Sequence, residues 1–217
     1  MKTCNVLAIN GSPRKNGNSI ALLHSAMEGA RVAGGAVTLL HLADYRYQGC
    51  ISCFRCRRRS EPCQGCGFDD PLQTVLRACY EADVLLLACP IYFANYPSGI
   101  RAFMERLLYH YPHQPGTGTT LKPTRLFYSM NATRQQAESL HYPIVLGANE
   151  DFFRRNFVDV ESVWVYNTWQ FENYDEYIHS VNLSEKRRAR LEEFPSALEQ
   201  ARQAGAGAVT RWLAEDP

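Results

Sequence analysis

No stretch of this chain approaches the ~20 consecutive apolar residues that span a bilayer, so a membrane-crossing helix is not expected. Charge of either sign is not in excess: 23 basic and 22 acidic residues leave a formal +1. That balance gives no electrostatic case for nucleic acid or for an anionic membrane surface. Gly-x-x-x-x-Gly-Lys-Ser/Thr is missing, which argues against phosphoryl transfer from ATP. Gly-x-Gly-x-x-Gly is missing too, which argues against a dinucleotide held in the Rossmann manner. Internal repeats and low-complexity tails are absent. Met1-Lys2-Thr3-Cys4 runs straight into an apolar segment, with no room for a charged and then apolar leader, so a cytoplasmic address is expected.

What is present points to an α/β protein. With 217 residues, 46% of them hydrophobic, the chain can bury a substantial core and is expected to form one domain over residues 1–217. The apolar run Val6–Ile9 breaks into Asn10-Gly11-Ser12-Pro13-Arg14-Lys15-Asn16-Gly17-Asn18-Ser19, and a helical pattern starts at Ile20. Strand, polar loop, helix start is how such proteins build an anion site. The first helical N–H groups lack partners and the dipole adds positive potential. Arg14 and Lys15 add charge, and Ser12, Asn16, Asn18 and Ser19 can surround phosphate oxygens. With both nucleotide cradles missing, a monophosphate ligand remains. The plainer alternative is an ordinary turn capped by Asn18 or Ser19.

Further strands are predicted over 36–42, 83–89, 124–130 and 159–166, and helices over 19–33, from Asp69-Asp70-Pro71 to about 82, and from a Ser98 cap to about 109. Residues 132–157 read as a helix, a loop around Tyr142-Pro143 and a second short helix. Ser184 is expected to cap a charged C-terminal helix interrupted near Pro195 and Gly205. The aromatic segment after Tyr166, through Tyr177, has no assignable element; the aromatic residues from Trp164 to Tyr177 could cover a ligand, pack at a dimer interface or form core, and core packing is the simplest role. Five strands alternating with helices imply a doubly wound, five-stranded parallel sheet with helices on both faces. Ligands then bind beyond the carboxyl ends of the strands, which singles out residues 10–19, 90–98 and the loop after Met130. Pro90-Ile91-Tyr92-Phe93-Ala94 is unusually apolar for such a loop. It suits a flat aromatic ligand whose phosphate rests on the first loop, or else a hydrophobic plug or a subunit contact.

Gly11–Ser19, Asp69-Asp70, Pro90-Ile91-Tyr92-Phe93, Ser98-Gly99 and Arg101-x-Phe103-x-Glu105-Arg106 together resemble the flavodoxin-like NAD(P)H-dependent FMN reductases, and within them the iron–sulfur flavoproteins and their cluster-less relatives. The resemblance covers residues 3 to about 110. It implies a flavodoxin-like fold and FMN, with the phosphate on Ser12, Arg14, Asn18 and Ser19. The isoalloxazine would lie on Pro90, Ile91, Tyr92, Phe93 and Ala94, tuned by backbone N–H groups around Tyr92–Ala94, with Ser129–Asn131 at its other edge. It also implies a homodimer or homotetramer with flavin near a subunit interface.

Five of the eight cysteines fall between positions 50 and 66, inside a cysteine-rich loop at 46–68. In a reducing compartment this suggests metal or redox chemistry rather than structural disulfides. Cys50-x2-Cys53-x2-Cys56-x6-Cys63 could converge on a [4Fe–4S] cube, and the spacing matches the compact motif of the iron–sulfur flavoproteins. Cys66 permits another pairing, Cys53/Cys56 with Cys63/Cys66 around zinc. A loop without metal is the third reading. Arg57-Arg58-Arg59 would attract an anionic cofactor or partner, or form a solvated face. His110-x2-His113 is read as a loop coincidence, and Cys4, Cys79 and Cys89 as core residues.

The function implied is electron transfer from NAD(P)H through FMN to a quinone, flavin or similar acceptor, with no side chain required as acid or base. Alternatives are an electron-transfer iron–sulfur flavoprotein with a redox-protein partner, and a metal-stapled, non-catalytic interaction module.

Overall fold

Val6–Ile9 and Val84–Cys89 become central strands because they are apolar on both faces, and only a strand covered from both sides can bury them. The computed structural model describes residues 3–59, 65–109 and 122–215. Its strands are β1 (Cys4–Asn10), β2 (Gly35–His41), β3 (Val84–Pro90), β4 (Thr124–Ser129) and β5 (Val160–Val165). All pair in parallel, in the order β2-β1-β3-β4-β5. This is the flavodoxin-like doubly wound arrangement, and strand order reverses between β1 and β3. Residues 84–89 are at most 1% exposed, as a central strand requires.

The helices are α1 (Asn18–Val32), α2 (Leu72–Glu81), α3 (Ser98–Leu108), α4 (Arg134–Ser139), α5 (Tyr142–Arg154), α6 (Leu183–Arg188) and α7 (Phe194–Glu215). On one face of the sheet, Leu22 and Leu23 of α1 and Val209 of α7 pack with Ala8, Leu86 and Phe127. On the other, Leu76, Phe103 and Phe153 from α2, α3 and α5 pack with Ile9, Leu87 and Tyr128. Among the described residues no helix is long and apolar enough to cross a membrane.

Four local expectations are corrected. Pro97, not Ser98, holds the N-cap position of α3, and Ser98 is already helical. Tyr142-Pro143 is not a loop but opens the 13-residue α5, where the missing proline N–H would have had no helical partner. Asn182, not Ser184, caps α6, its side chain accepting from the N–H groups of Ser184 and Glu185. The C-terminal interruption is a π-helical turn at Ala189–Glu193, ahead of Pro195. Gly205 makes no break: α7 runs through it, and a Cβ there would overlap the Ala26 carbonyl oxygen of α1.

Candidate functional site

The loop between β1 and α1 is organised from beneath by Asn10, which is wholly buried. Its Oδ1 accepts from Ser12 N–H at 3.1 Å, and its Nδ2 donates to the Arg14 carbonyl at 3.1 Å and lies 3.0 Å from His41 Nδ1. Gly11 N–H donates to the Ala88 carbonyl at 2.8 Å, and a Cβ on Gly11 would collide with the Ile100 side chain. Ser12 Oγ accepts from Arg14 N–H at 3.2 Å. The backbone donors of Ser12 and Arg14 are therefore consumed within the loop, contrary to a cradle in which they face a ligand. Gly17 holds the N-cap position with no side-chain cap. The first-turn N–H groups of α1 thus lack a side-chain cap, and Asn18 and Ser19 are not spent as caps.

Asn18 Nδ2 instead donates to the Trp169 carbonyl at 2.7 Å, and Arg14 Nη1 to the Gln170 carbonyl at 3.1 Å. Ser19 Oγ lies 2.8 Å from Ser129 Oγ at the end of β4, joining the first loop to the third. Lys15 turns away to an exposed pair with Asp44 at 2.5 Å.

After β3 the chain makes a tight turn in which Tyr92 N–H donates to the Asn95 carbonyl and Asn95 N–H to the Tyr92 carbonyl, each at 2.9 Å. Phe93 and Ala94 both have positive φ, 49° and 60°, a conformation costing roughly 1–2 kcal/mol per non-glycine residue. The Tyr92 N–H expected to face a ligand is thus spent inside the turn. The turn holds the Phe93 ring fully exposed. Asn95 Oδ1 accepts from Tyr96 N–H and from Asn149 Nδ2 of α5, which fixes the turn to the core.

Ser12, Arg14, Asn16, Asn18, Ser19, Pro90, Ile91, Tyr92, Phe93 and Ser129 all line one cleft of about 330 Å³ at the carboxyl ends of β1, β3 and β4. Ala94 does not line it. Asn131, Tyr142, Thr168, Trp169 and Gln170 line it as well. The last three come from the segment without a predicted element. They follow the end of β5, so the rule that selects strand-end loops would have selected them too. One end of the cleft offers hydroxyls, amides and a guanidinium beside a helix N-terminus; the other offers an aliphatic and aromatic wall. Such a cleft can hold a flat ring carrying an anion.

A second cavity, of about 720 Å³, opens beside the cysteine loop and includes Cys50, Cys53, Cys56 and Cys66 in its lining. Cys63 lies outside the described residues, as do His110 and His113. Among the described residues, no three His, Cys, Asp or Glu side chains come together in a metal-binding group. The loop is tied down by Arg106 of α3, which is 2% exposed. Its guanidinium donates to Asp70 Oδ2 at 2.5 Å, to the carbonyls of Phe68 and Gln48, and to Cys66 Sγ at 3.3 Å. Glu105 Oε2 accepts from Cys50 N–H at 3.1 Å. Arg57 lies over the Tyr109 ring and donates to its carbonyl, so it serves the loop itself.

The family profile described as NADPH-dependent FMN reductase matches residues 4–142. An iron-sulfur flavoprotein of Archaeoglobus fulgidus is 30% identical over 109 residues, 50% of this chain and 47% of that protein. An iron-sulfur flavoprotein of Methanosarcina thermophila is 28% identical over 101 residues, 46% of this chain and 51% of that one. The chain spans about half the length of the curated relatives it matches. Among solved structures, an NAD(P)H:quinone oxidoreductase from Methanothermobacter marburgensis superimposes with a TM-score of 0.69 at 15% identity, covering 95% of this chain and 97% of that one. An FMN-dependent NADH-azoreductase from Bacillus anthracis, in complex with FMN, gives 0.64 at 11% identity, covering 94% and 99%. At these identities the structural likeness speaks for the fold.

Proposed function

The chain belongs to the NADPH-dependent FMN reductase family, and on that premise we propose that it is an FMN-dependent oxidoreductase passing electrons from NAD(P)H to a quinone, flavin or similar small acceptor. The observation that carries this reading is the single cleft at the strand-order reversal, where anion donors and an aromatic wall face one another. Its donor set fits FMN. Ser12, Arg14, Asn16, Asn18, Ser19 and the first turn of α1 would hold the phosphate. Ile91, Tyr92, Phe93 and Trp169 would flank the ring system, and Ser129 and Asn131 would meet its polar edge. FMN, when bound, supplies hydride and electron transfer. The chain's own work is to bind, orient and exclude water, and no side chain is assigned a proton-transfer step.

Phe93, fully exposed at the mouth, supports a homodimer or homotetramer that covers the cleft. The cytoplasmic address and the single domain over 1–217 belong to the same reading. The cysteine-lined cavity and the relatives' names favour a second one. In it, Cys50, Cys53, Cys56 and Cys63 hold a [4Fe–4S] cluster and the acceptor is a redox protein.

Absorption of anaerobically purified protein, with iron and acid-labile sulfide assayed on the same sample, tests both. Flavin bands and NAD(P)H oxidation upon loading with FMN are expected. About four irons per chain would favour the cluster reading. A protein that cannot be loaded with FMN overturns both and returns the chain to a non-catalytic interaction role.

A further inference from the structure

The FMN cleft described above has one wall that no strand supplies. Residues 166–170 leave the end of β5 and double back across the first loop, where Arg14 and Asn18 hold the carbonyls of Gln170 and Trp169. The same segment is stitched to the end of β4. Thr168 N–H and Oγ1 both donate to the Met130 carbonyl at 3.0 Å, and Asn167 N–H donates to the Ala132 carbonyl at 2.8 Å. Behind this seam stands Lys186 of α6, only 1% exposed. Its Nζ donates to the Thr168 carbonyl at 2.9 Å and the Asn131 carbonyl at 3.5 Å. Thr168 and Asn131 both line the cleft.

A buried ammonium is costly unless it is hydrogen-bonded, and hydrogen bonds with a charged donor are stronger than neutral ones. Here the two acceptors come from different strand-end loops, so one charge fixes their separation. We propose that Lys186 is a positioning residue of the flavin cleft: its ammonium ties the loop after β4 to the aromatic segment after β5 and so sets where Trp169 and Gln170 stand over the first loop. The proposal rests on the FMN reading for its ligand, but not for its geometry. Desolvation at this site lowers the Lys186 pKa to about 8, in keeping with an ammonium held by dipoles rather than by a carboxylate.

Lys122 provides a matched control. It is also 1% exposed and also donates to two backbone carbonyls, those of Cys79 and Tyr80, but it precedes β4 and so lies at the opposite end of the strands. Two readouts are compared in Lys186→Met and Lys122→Met: amide hydrogen exchange of FMN-free protein, and FMN affinity by quenching of flavin fluorescence. Exchange at residues 130–132 and 166–170 is expected to accelerate in Lys186→Met and not in Lys122→Met. The FMN Kd is expected to rise about tenfold in Lys186→Met, the loss of one charge-assisted hydrogen bond, and to stay within about twofold in Lys122→Met. Should the methionine variant fail to fold, Lys186→Gln, which keeps a donor without charge, carries the same comparison.

Unchanged exchange in the Lys186 variant, or equal changes in both variants, overturns the anchor whatever FMN does. Wild-type protein that binds no FMN while exchange responds as expected overturns the flavin reading and leaves the anchor standing. Faster exchange with an unaltered Kd overturns its role in shaping the cleft.

Discussion

Asn10 illustrates how one side chain determines the shape of a cleft it does not itself line. Its amide serves Ser12 N–H, the Arg14 carbonyl and His41 at once, and it has no exposure to water. Truncation to alanine leaves a backbone donor and a backbone acceptor without partners. An unsatisfied buried group costs about 1–3 kcal/mol, so Asn10→Ala is expected to lower unfolding stability by about 2 kcal/mol. Urea denaturation measures this directly. Because the loop loses its internal tie, FMN affinity should fall in the same variant. Stability falling while affinity holds would mean that the loop keeps its form through Gly11 and Ser12 alone. In the sequence Asn10 reads as the first polar residue of the loop, and nothing in its type announces three partners. By contrast Ser12, Arg14, Asn18 and Ser19 are legible because hydroxyls, amides and a guanidinium crowd a short loop ahead of a helix.

At the scale of elements, α1 and α7 approach backbone to backbone. A Cβ on Gly205 would overlap the Ala26 carbonyl oxygen, and one on Gly29 would overlap the Arg202 carbonyl oxygen. Gly207, two residues along α7, is exposed and meets nothing within 4 Å. The two glycines of one helix should therefore respond in opposite directions to alanine. Gly205→Ala forces the helices apart, which typically costs about 1–3 kcal/mol. Gly207→Ala gains roughly 0.5–1 kcal/mol from helix propensity. Thermal unfolding of the pair decides it; a destabilised Gly207→Ala or a neutral Gly205→Ala would contradict the crossing. The misread break at Gly205 has the same origin. A glycine in a helical pattern looks like punctuation when its partner helix lies far away in sequence. The strands were legible because their signal is local: Val84–Cys89 is apolar at every position and can only be central. The segment after β5 was not, since its contacts reach back to Asn18 and Arg14 on the first loop and forward to Lys186. Its rings also pack on one another, Trp169 on Tyr174 and Phe171 on Tyr177, leaving no periodicity to read.

For the whole molecule, burial of ionisable groups sets an alkaline stability profile. Lys122 and Lys186 are both pushed down from 10.5 to about 8 by desolvation. Between those values the unfolded chain binds more protons than the folded one, so stability rises with pH there and the gain is lost as pH falls through 8. Buried thiols act the other way. Desolvation pushes Cys79 up from 9.0 to about 12 and Cys89 further still. The stability they confer is complete below 9.0 and is lost as pH climbs toward their folded values, and the desolvated hydroxyls of Tyr96 and Tyr128 add to the loss from about pH 10. The lysines act first and the thiols and phenols overtake them, so stability should pass through a maximum near pH 9, about midway between these titrations. Urea midpoints measured from pH 7 to 10.5 test this. Lys122→Met should flatten the rising limb, because it removes one of the two groups responsible. Cys79→Ser should soften the falling limb, since serine does not titrate in this range. A profile that falls steadily from pH 7 would show that both lysines keep their ordinary pKa, their ammonium groups held by the backbone carbonyls firmly enough to offset desolvation.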